Sequence, residues 1–394
     1  MGRRWRHLFI HYFKHEAILR PIKIILVVGA RPNFMKIAPI WRACEKRGDV
    51  FDPVLVHTEQ HYDDKMSQVF FDDLELPKPH YQLGVGSGSQ AVQTARVMMA
   101  YEPVVIDEAA DLVVVVGDVN STVACAMVAK KLNVKVAHVE AGLRSRDRSM
   151  PEEINRLMTD VISDLLLTPS RDADENLRQE GVAGDRIHFV GNVMIDSLRF
   201  LESKADASSI LDQAVVDAGE YALVTLHRPS NVDDRETFLG ILRALDHVQR
   251  QVPIVWPLHP RTAKMIDQLE LREMLAHMEN VKLIDPVGYL DALKLQKCAK
   301  LVLTDSGGLQ EETTAFGVPC LTMRENTERP VTINEGTNTL VGVSPERIIE
   351  VANQVFDGGY DKTGRIPEGW DGQAAERMVG VFEGLNVSTH PLLP

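Results

Sequence analysis

Short, nearly continuous apolar runs alternate with helix-compatible segments along the chain from residue 22 onward. The runs fall into two series: residues 23–28, 53–56, 112–116, 134–139, 165–168 and 187–190, and then residues 221–226, 253–258, 281–284, 301–304 and 319–323. Apolar runs without polar alternation are typical of parallel strands that helices cover on both faces. Two such series predict an α/β protein with two Rossmann-like, doubly wound domains and a cleft between them.

The weakest part of this pattern lies at residues 201–219, which are charged and rich in small side chains. We therefore predict an N-terminal extension over residues 1–20, a first domain over 21–200 and a second domain over 201–373. The end of the chain is helix-compatible, and we expect residues 374–394 to return to the first domain.

The extension is basic and carries a single acidic residue. It lacks the long apolar core and the small-residue cleavage site of a signal peptide. Its apolar residues Leu8, Phe9, Tyr12 and Phe13 are spaced to form one helical face, which would suit a membrane surface. An ordinary extension, or a start codon placed too early, is the simpler interpretation.

Composition narrows the class of protein. The 394 residues include 43 Lys and Arg against 56 Asp and Glu, a net charge of −13, so binding to nucleic acid through phosphates is not expected. No uncharged apolar run approaches the ~18 residues that span a bilayer. The four cysteines form no CxxC pair, which argues against a disulfide scaffold or a cysteine-rich zinc site and predicts a cytoplasmic protein.

Polar residues follow nearly every predicted strand, at the edge where parallel sheets bind ligands. After the first strand, Arg31 and Lys36 flank the start of a helix, where free N–H groups favour an anion. A solvated arginine in an ordinary turn is the alternative. The dinucleotide fingerprint GxGxxG is absent there, so NAD is not expected.

A second anion site is predicted at Ser306, Gly307 and Gly308, between a strand and a helix. Glycines let the backbone approach a ligand closely, and the helix start offers N–H groups to a phosphate. Glu311 and Glu312 follow one turn later, where a carboxylate could bind ribose hydroxyls. A helix cap with a nearby acid is the alternative.

Three acidic residues suggest proton transfer. Asp118 and Glu140 end two successive strands, and Glu152 begins a predicted helix. Neighbouring strands lie about 4.8 Å apart, so both strand-end carboxylates can face one substrate. The alternative is structural: Asp118 would cap a helix, and Glu140 would pair with Arg144 or Arg146.

His227 and His259 end the first two strands of the second series. A histidine there can donate to a phosphate or exchange a proton near neutral pH. Zinc is the rival interpretation, but the two are not at i, i+4 spacing and no third ligand lies in the same segment, so no metal is predicted.

Together these motifs resemble the non-hydrolysing UDP-N-acetylglucosamine 2-epimerase family. The matching segments extend from about residue 22 to about residue 342 and read GARPNFMKIAPI (29–40), HTEQHYD (57–63), VGDVNST (116–122), AHVEAGLRS (137–145), MPEEINR (150–156), GNVMIDSL (191–198), TLHRPSNVDD (225–234), PLHPRT (257–262), LTDSGGLQEE (303–312) and TMRENTERP (322–330). The resemblance implies a glycosyltransferase-B fold, a homodimer, no redox cofactor, and interconversion of UDP-GlcNAc and UDP-ManNAc for cell-surface polysaccharides.

The family is understood to eliminate UDP, leaving 2-acetamidoglucal, and to add UDP back after C2 is protonated on the opposite face. The resemblance implies catalytic roles for Asp118, Glu140 and Glu152 in proton transfer and for His227 at the departing pyrophosphate. It implies substrate contacts for Arg31, Lys36, His259, Ser306, Gly307, Gly308 and Arg329, a ribose contact for Glu312, and backbone contacts to uracil at Val287 and Ala292.

The chain departs from the family pattern in two places. It reads HRPSN where bacterial members often have HRREN, and residues 144–150 are short where members often carry an aromatic insert. Both regions help form a regulatory UDP-GlcNAc site in some members, so we do not expect that activation to carry over intact.

Three alternatives stay open. They are a 2-epimerase of a UDP-diacetamido-uronic acid, a glycosyltransferase of the same fold, and a nucleotide-sugar-binding protein without turnover. Glu311 and Arg329 favour plain UDP-GlcNAc over the uronic acid. The crowded acids argue against the transferase, and an intact set of acids argues against a binding protein.

Overall fold

Two parallel sheets with alternating helices make up the computed structural model, which describes residues 20–58 and 74–385, apart from the side chain of Arg31. The first sheet has the strand order β3-β2-β1-β4-β5-β6-β7. Its strands are β1 (Ile22–Val28), β2 (Phe51–His57), β3 (Tyr81–Gln82), β4 (Leu112–Val116), β5 (Lys135–Val139), β6 (Leu165–Thr168) and β7 (Ile187–Phe189).

The second sheet has the order β10-β9-β8-β11-β12-β13. Its strands are β8 (Ala222–Thr225), β9 (Ile254–Pro257), β10 (Val281–Ile284), β11 (Leu301–Thr304), β12 (Cys320–Thr322) and β13 (Asn338–Leu340). In both sheets the order reverses beside the first strand of the series, which is the switch point where doubly wound folds bind ligands.

Helices join the strands and cover both faces of each sheet. Those of the first half are α1 (Arg31–Glu45), α2 (Gln90–Glu108), α3 (Asn120–Lys131), α4 (Pro151–Ile162), α5 (Arg171–Gln179) and α6 (Val193–Asp206), with a 3₁₀ turn at Gly184–Arg186. The remaining helices are α7 (Ile210–Ala214), α8 (Pro229–Val232), α9 (Arg235–Val248), α10 (Pro260–Gln268), α11 (Arg272–Ala276), α12 (Tyr289–Lys297), α13 (Gly307–Phe316), α14 (Val331–Asn334), α15 (Pro345–Phe356) and α16 (Ala374–Glu383).

The predicted α/β class with two doubly wound halves is confirmed. Every predicted apolar run forms a strand, with its ends displaced by two residues or fewer. The pattern missed β3 and β13, because each is a two- or three-residue edge strand with polar positions and no apolar run. No helix in the described ranges is long and apolar enough to cross a bilayer.

The segment expected to be a weak linker is largely helical. Residues 201–206 complete α6, and α7 follows it. Leu201, Ala205, Ile210 and Ala214 are buried among the charged residues, so these helices have apolar faces that the composition obscured. Helix α6 packs on α1 of the first half and on α12 and α13 of the second half, so it joins the two halves.

Helix α16 packs on α1 and α6, against the first half. The carboxylate of Asp196 accepts hydrogen bonds from the backbone N–H groups of Ala374 (3.1 Å) and Ala375 (2.8 Å), which caps the start of α16. Trp370, just before this helix, is buried and donates to the carbonyl of Pro169 (3.3 Å). The rest of the predicted end helix, residues 386–394, and the extension 1–19 lie outside the described residues.

Candidate active site between the two sheets

The first wall of the site begins in the turn between β1 and α1. Asn33 accepts from the backbone N–H groups of Gly29 (3.2 Å) and Ala30 (2.9 Å) and donates to the carbonyl of Val116 (3.2 Å), so one amide ties the turn to the end of β4. Lys36 follows on the same helix and is buried. The Arg31 side chain, which is predicted to contact the substrate, and residues 59–63 of the matching segment HTEQHYD lie outside the described residues.

Glu140 forms a buried ion pair with Lys36. Its backbone lies in the left-handed region (φ 68°), which is strained for a residue with a side chain and is often found at functional sites. Among the described residues, its Oε1 is buried and has no hydrogen-bond partner. The alternative pairing with Arg144 or Arg146 is not seen: Arg144 pairs with Asp160 and Glu180.

Asp118 follows β4 and pairs with Arg156 on α4, and its side chain is 31% exposed. It does not cap α3, whose N-cap is Val119. Arg156 also contacts Glu153 (2.8 Å), so Asp118 is held by a cation that is itself anchored. Glu152, in the first turn of α4, is half-buried and makes no hydrogen bond or ion pair within the described ranges.

The second wall is organised around Asp305, which directly follows β11 and is buried. Its Oδ2 accepts from the backbone N–H groups of His227 (2.9 Å) and Arg228 (2.8 Å), and its Oδ1 lies 2.8 Å from His227 Nδ1. Burial would raise the pKa of Asp305, but His227 and the backbone donors lower it overall. Asp305 therefore fixes the orientation of the histidine ring.

His259 stands beside His227, with ring centroids 5.4 Å apart. Its Nδ1 accepts from the backbone N–H of Arg261 (3.1 Å), so its other ring nitrogen is the donor. Burial, and then the neighbouring His227, lower the pKa of His259, which favours the neutral ring.

Three arginines converge near the start of α13. Arg329 pairs with Glu328 (2.7 Å), which Arg324 also contacts (3.1 Å). Burial, and then repulsion from Arg324, lower the pKa of Arg228. Among the described residues, Nη1 of Arg324 is buried without a partner. A Cβ on Gly307 would lie 3.1 Å from Arg329 Nη1, so the helix start and its free N–H groups face this cluster.

The two glutamates of α13 are both buried. Glu312 accepts from the hydroxyl of Tyr289 (2.8 Å) and is hydrogen-bonded by Gln296. Burial raises the pKa of Glu312 to about 7, against the opposing effect of these donors. Glu311 pairs with Arg329 (2.9 Å) and accepts from Asn192 (2.9 Å), which precedes α6.

A cavity of about 190 Å³ opens beside these residues at the ends of β8 and β9. Its walls are mostly apolar and include the backbone region predicted to contact a base. The lining residues are Leu223, Thr225, Leu226, His227, Pro257, His259, Pro286, Val287, Ala292, Leu295, Gln296 and Leu309. A flat, largely apolar ring fits such a space better than a charged group does.

Charged side chains of the two walls are close enough to affect one another. The pKa of Glu311 is raised overall, chiefly by burial, although the neighbouring Arg329 lowers it. Two residues of the first half also affect this pKa: Glu140 raises it and Lys36 lowers it. Cations and carboxylates from both halves therefore lie within reach of one bound molecule. No group of three or more metal-ligating side chains comes together in the described part of the chain.

The strand-end pattern included Arg228 and Arg324 without giving either a role, and sequence reasoning missed two further residues that the structure brings to this site, Arg156 and Asn192. Arg228 and Arg324 do follow strands β8 and β12 closely, so the strand-end pattern carried a signal for both. Arg156 lies inside a helix and Asn192 in a loop, and nothing local in the sequence marks either as a partner of Asp118 or Glu311.

Comparison with known proteins agrees with this geometry. The sequence profile of one family, described as UDP-N-acetylglucosamine 2-epimerase, matches residues 42–383. A UDP-N-acetylglucosamine 2-epimerase of Methanocaldococcus jannaschii is 41% identical over 367 residues, which cover 92% of this chain and 99% of that protein. A UDP-2,3-diacetamido-2,3-dideoxy-D-glucuronate 2-epimerase of Pseudomonas aeruginosa is 42% identical over 360 residues, covering 91% and 98%.

A crystal structure also matches closely. It is that of the Methanocaldococcus jannaschii UDP-GlcNAc 2-epimerase in complex with UDP-GlcNAc and UDP. The TM-score is 0.79 at 40% identity, and the match covers 92% of this chain and 99% of that one.

Proposed function

The chain belongs to the UDP-N-acetylglucosamine 2-epimerase family, and from that premise we propose that it interconverts UDP-GlcNAc and UDP-ManNAc by inverting C2 of the sugar. The protein is thus an isomerase that acts on a nucleotide sugar. The observation that carries the proposal is the meeting of carboxylates and cations between the sheets: Glu140 with Lys36 on one wall, and Glu311 with Arg329 on the other.

The arginine cluster supports a role in holding the pyrophosphate. Arg228 is half-buried beside Arg324 and Arg329, and burial followed by repulsion from Arg324 lowers its pKa, although the guanidinium keeps its charge; a bound anion would relieve that repulsion. The free N–H groups at the start of α13 add a second source of positive potential. Together they stabilise UDP as it leaves C1 and takes the bonding electron pair, because charge-assisted hydrogen bonds strengthen as charge develops on the leaving group.

The carboxylates support elimination followed by addition. One carboxylate removes the C2 proton as the C1–O bond breaks, which gives 2-acetamidoglucal and UDP. A carboxyl group on the opposite face then returns a proton to C2 as UDP adds back to C1, so atoms and charge balance over the cycle. Asp118, Glu140 and Glu152 are the proposed proton carriers, and His227, oriented by Asp305, assists at the phosphate.

The nucleoside is proposed to occupy the apolar cavity. Uracil would contact the backbone of Val287 and Ala292, which line that cavity. Glu312 is proposed to accept the ribose hydroxyls, because Tyr289 and Gln296 hold its carboxylate in place. His259, Ser306 and Gly308 complete the proposed contacts to UDP.

A second substrate is favoured by one observation, the Pseudomonas aeruginosa relative that acts on a diacetamido-glucuronate. The uronic acid differs from UDP-GlcNAc by a carboxylate and a second acetamido group. Comparing kcat/KM for the two substrates decides between them, and at least a tenfold preference for UDP-GlcNAc is expected.

We also propose that the protein is a homodimer. Val92, Met99 and Ile106 are exposed on α2 at seven-residue spacing, and an exposed stripe at Ile154, Met158 and Val161 lies on α4. Helix α3 packs against both helices, so the two stripes flank one layer of the first half. A second copy would cover both stripes at once, because a two-fold axis matches a surface to itself.

The dimer is tested by mutating this face. Met99→Glu should shift the protein to monomers in light scattering, while Ile366→Glu, at another exposed apolar position outside both stripes, should not. Equal masses for the two variants would refute the proposed face.

A cytoplasmic location is proposed because all four cysteines are free thiols, and a role in supplying cell-surface polysaccharide follows from the product.

Proton NMR of the purified protein with UDP-GlcNAc in deuterated water tests the reaction. We expect deuterium at C2, formation of UDP-ManNAc and no need for added NAD or metal. Glu140→Gln is the matched control, since it keeps the shape of the side chain and removes the base. Turnover to free UDP and sugar without epimerisation, or C2 left unchanged with the wild type, would contradict the proposal and favour a transferase or a binding protein.

A further inference from the structure

His138 lies beneath the candidate catalytic acids and has no assigned role. It is on β5, two residues before Glu140, and is fully buried. Its Nε2 lies 2.8 Å from the carbonyl oxygen of Gly117, the residue before Asp118. Its Nδ1 lies 2.6 Å from Oδ1 of Asp160 on α4. One ring thus connects the backbone beside both acids to a third element.

Both contacts of this ring are to acceptors. A backbone carbonyl oxygen only accepts hydrogen bonds. Asp160 is buried, and burial would raise its pKa, but His138 and Arg144 lower it overall, so it is a carboxylate. Its Oδ2 accepts from the backbone N–H of Gly142 (3.1 Å) and pairs with Arg144 (2.7 Å). The ring must therefore donate from both nitrogens.

The contact with Gly117 controls the backbone that carries Asp118. The carbonyl of Gly117 belongs to the same peptide plane as the N–H of Asp118, so fixing one fixes the other. Gly117 has φ 69°, a left-handed conformation in which the chain turns sharply at the end of β4. Its own N–H donates to the carbonyl of Val139 (3.1 Å), so the turn is tied to β5 on both sides.

We propose that His138 is a positioning residue that holds Asp118 in register with Glu140, by donating one hydrogen bond to the Gly117 carbonyl while the other anchors the ring on Asp160. The inference rests on the proposed function, in which both acids face one sugar. A displacement of a reacting group by about 1 Å can lower a rate by about a hundredfold, so a bond that fixes a backbone turn matters to kcat.

Two substitutions separate the two bonds of the ring. The amide nitrogen of glutamine takes the place of Nε2, so His138→Gln keeps the donor to Gly117. The amide nitrogen of asparagine takes the place of Nδ1, so His138→Asn keeps the donor to Asp160 and loses the one to Gly117. Both variants leave a polar, uncharged side chain in the same buried place, which makes each the control for the other.

We expect His138→Gln to keep kcat within about threefold of the wild type, and His138→Asn to lose between about tenfold and about a hundredfold in kcat. The Kd for UDP should be unchanged in both, because the proposed UDP contacts lie mainly on the second wall. Equal losses in the two variants, a larger loss in His138→Gln, or wild-type kcat in His138→Asn would each overturn the proposal.

Neutron diffraction from crystals of the wild-type protein gives a test that needs no variant. Deuterium is expected on both ring nitrogens of His138, and a ring with either nitrogen bare overturns the proposal. This measurement also separates the two hypotheses. A wild-type protein without epimerase activity would refute the proposed function, while the ring would still show whether it donates to Gly117 and Asp160.

Discussion

Replacing Glu312 by glutamine is expected to stabilise the protein at pH 8. The carboxyl is buried, and burial raises its pKa from the ordinary value of 4.5 to about 7. Glutamine has the same shape, and its amide oxygen still accepts from Tyr289 and Gln296. The substitution therefore removes the cost of ionising a buried acid and leaves its main hydrogen bonds in place.

The magnitude follows from the two pKa values. The folded protein binds the Glu312 proton up to about pH 7, whereas the unfolded chain releases it near 4.5. The free energy of unfolding therefore falls as pH rises between these two pKa values, by about 1.4 kcal/mol for each pH unit. Glu312→Gln should gain roughly 3 kcal/mol at pH 8, and the gain should disappear at and below pH 4.5.

Glu328→Gln is the matched control, because its carboxyl behaves in the opposite way. Burial would raise its pKa, but Arg329 and Arg324 lower it to about 2. This carboxylate contributes stability above pH 4.5 that is lost as pH falls through 2, so the variant should lose roughly 3 kcal/mol at pH 8. Each variant replaces one buried glutamate by a glutamine of the same shape.

Urea unfolding followed by tryptophan fluorescence at pH 8 and pH 4.5 measures both changes, since Trp256 and Trp370 are buried. The stabilised Glu312→Gln variant should also bind UDP more weakly, as expected if the acid is retained for ribose binding. The reasoning is refuted if Glu312→Gln is no more stable than the wild type at pH 8, or if its gain persists at pH 4.5.

Three further predictions concern the reaction and the cleft. Asp118→Asn, Glu140→Gln and Glu152→Gln should each lose about 10²–10⁴ in kcat with UDP binding retained, and three variants with wild-type turnover would exclude the proposed proton carriers. Arg228→Ala and Arg329→Ala should each weaken UDP binding by roughly 1.5–3 kcal/mol in calorimetry, and an unchanged Kd removes that arginine from the site. UDP should make the protein more compact in small-angle scattering and protect amides on both walls from exchange, because the predicted substrate contacts Arg31 and Lys36 belong to the first half and most of the others to the second; protection confined to the second half contradicts closure by UDP.

Local pattern was enough to predict the described strands other than β3 and β13, and the sheet edges that carry the candidate site. Strands β4, β6 and β11 begin and end with their apolar runs, because a strand buried on both faces must be apolar throughout. The first polar residue after such a run is then the first one free of the sheet. This rule places Asp118 and Glu140 at the carboxyl edge of the first sheet, and His227 and Arg324 at that of the second, without any knowledge of packing.

Tertiary structure alone decided the partners and the charges. Asp118 meets Arg156 and Glu140 meets Lys36 through contacts that cross from one element to another, and a sequence pattern records spacing only within an element. The high pKa of Glu312 and the low pKa of Glu328 differ because one is buried without a cation and the other between two arginines. Burial and the distance between residues far apart in sequence are properties of the assembled fold, so these residues acquire their chemistry only when the elements of each half pack together.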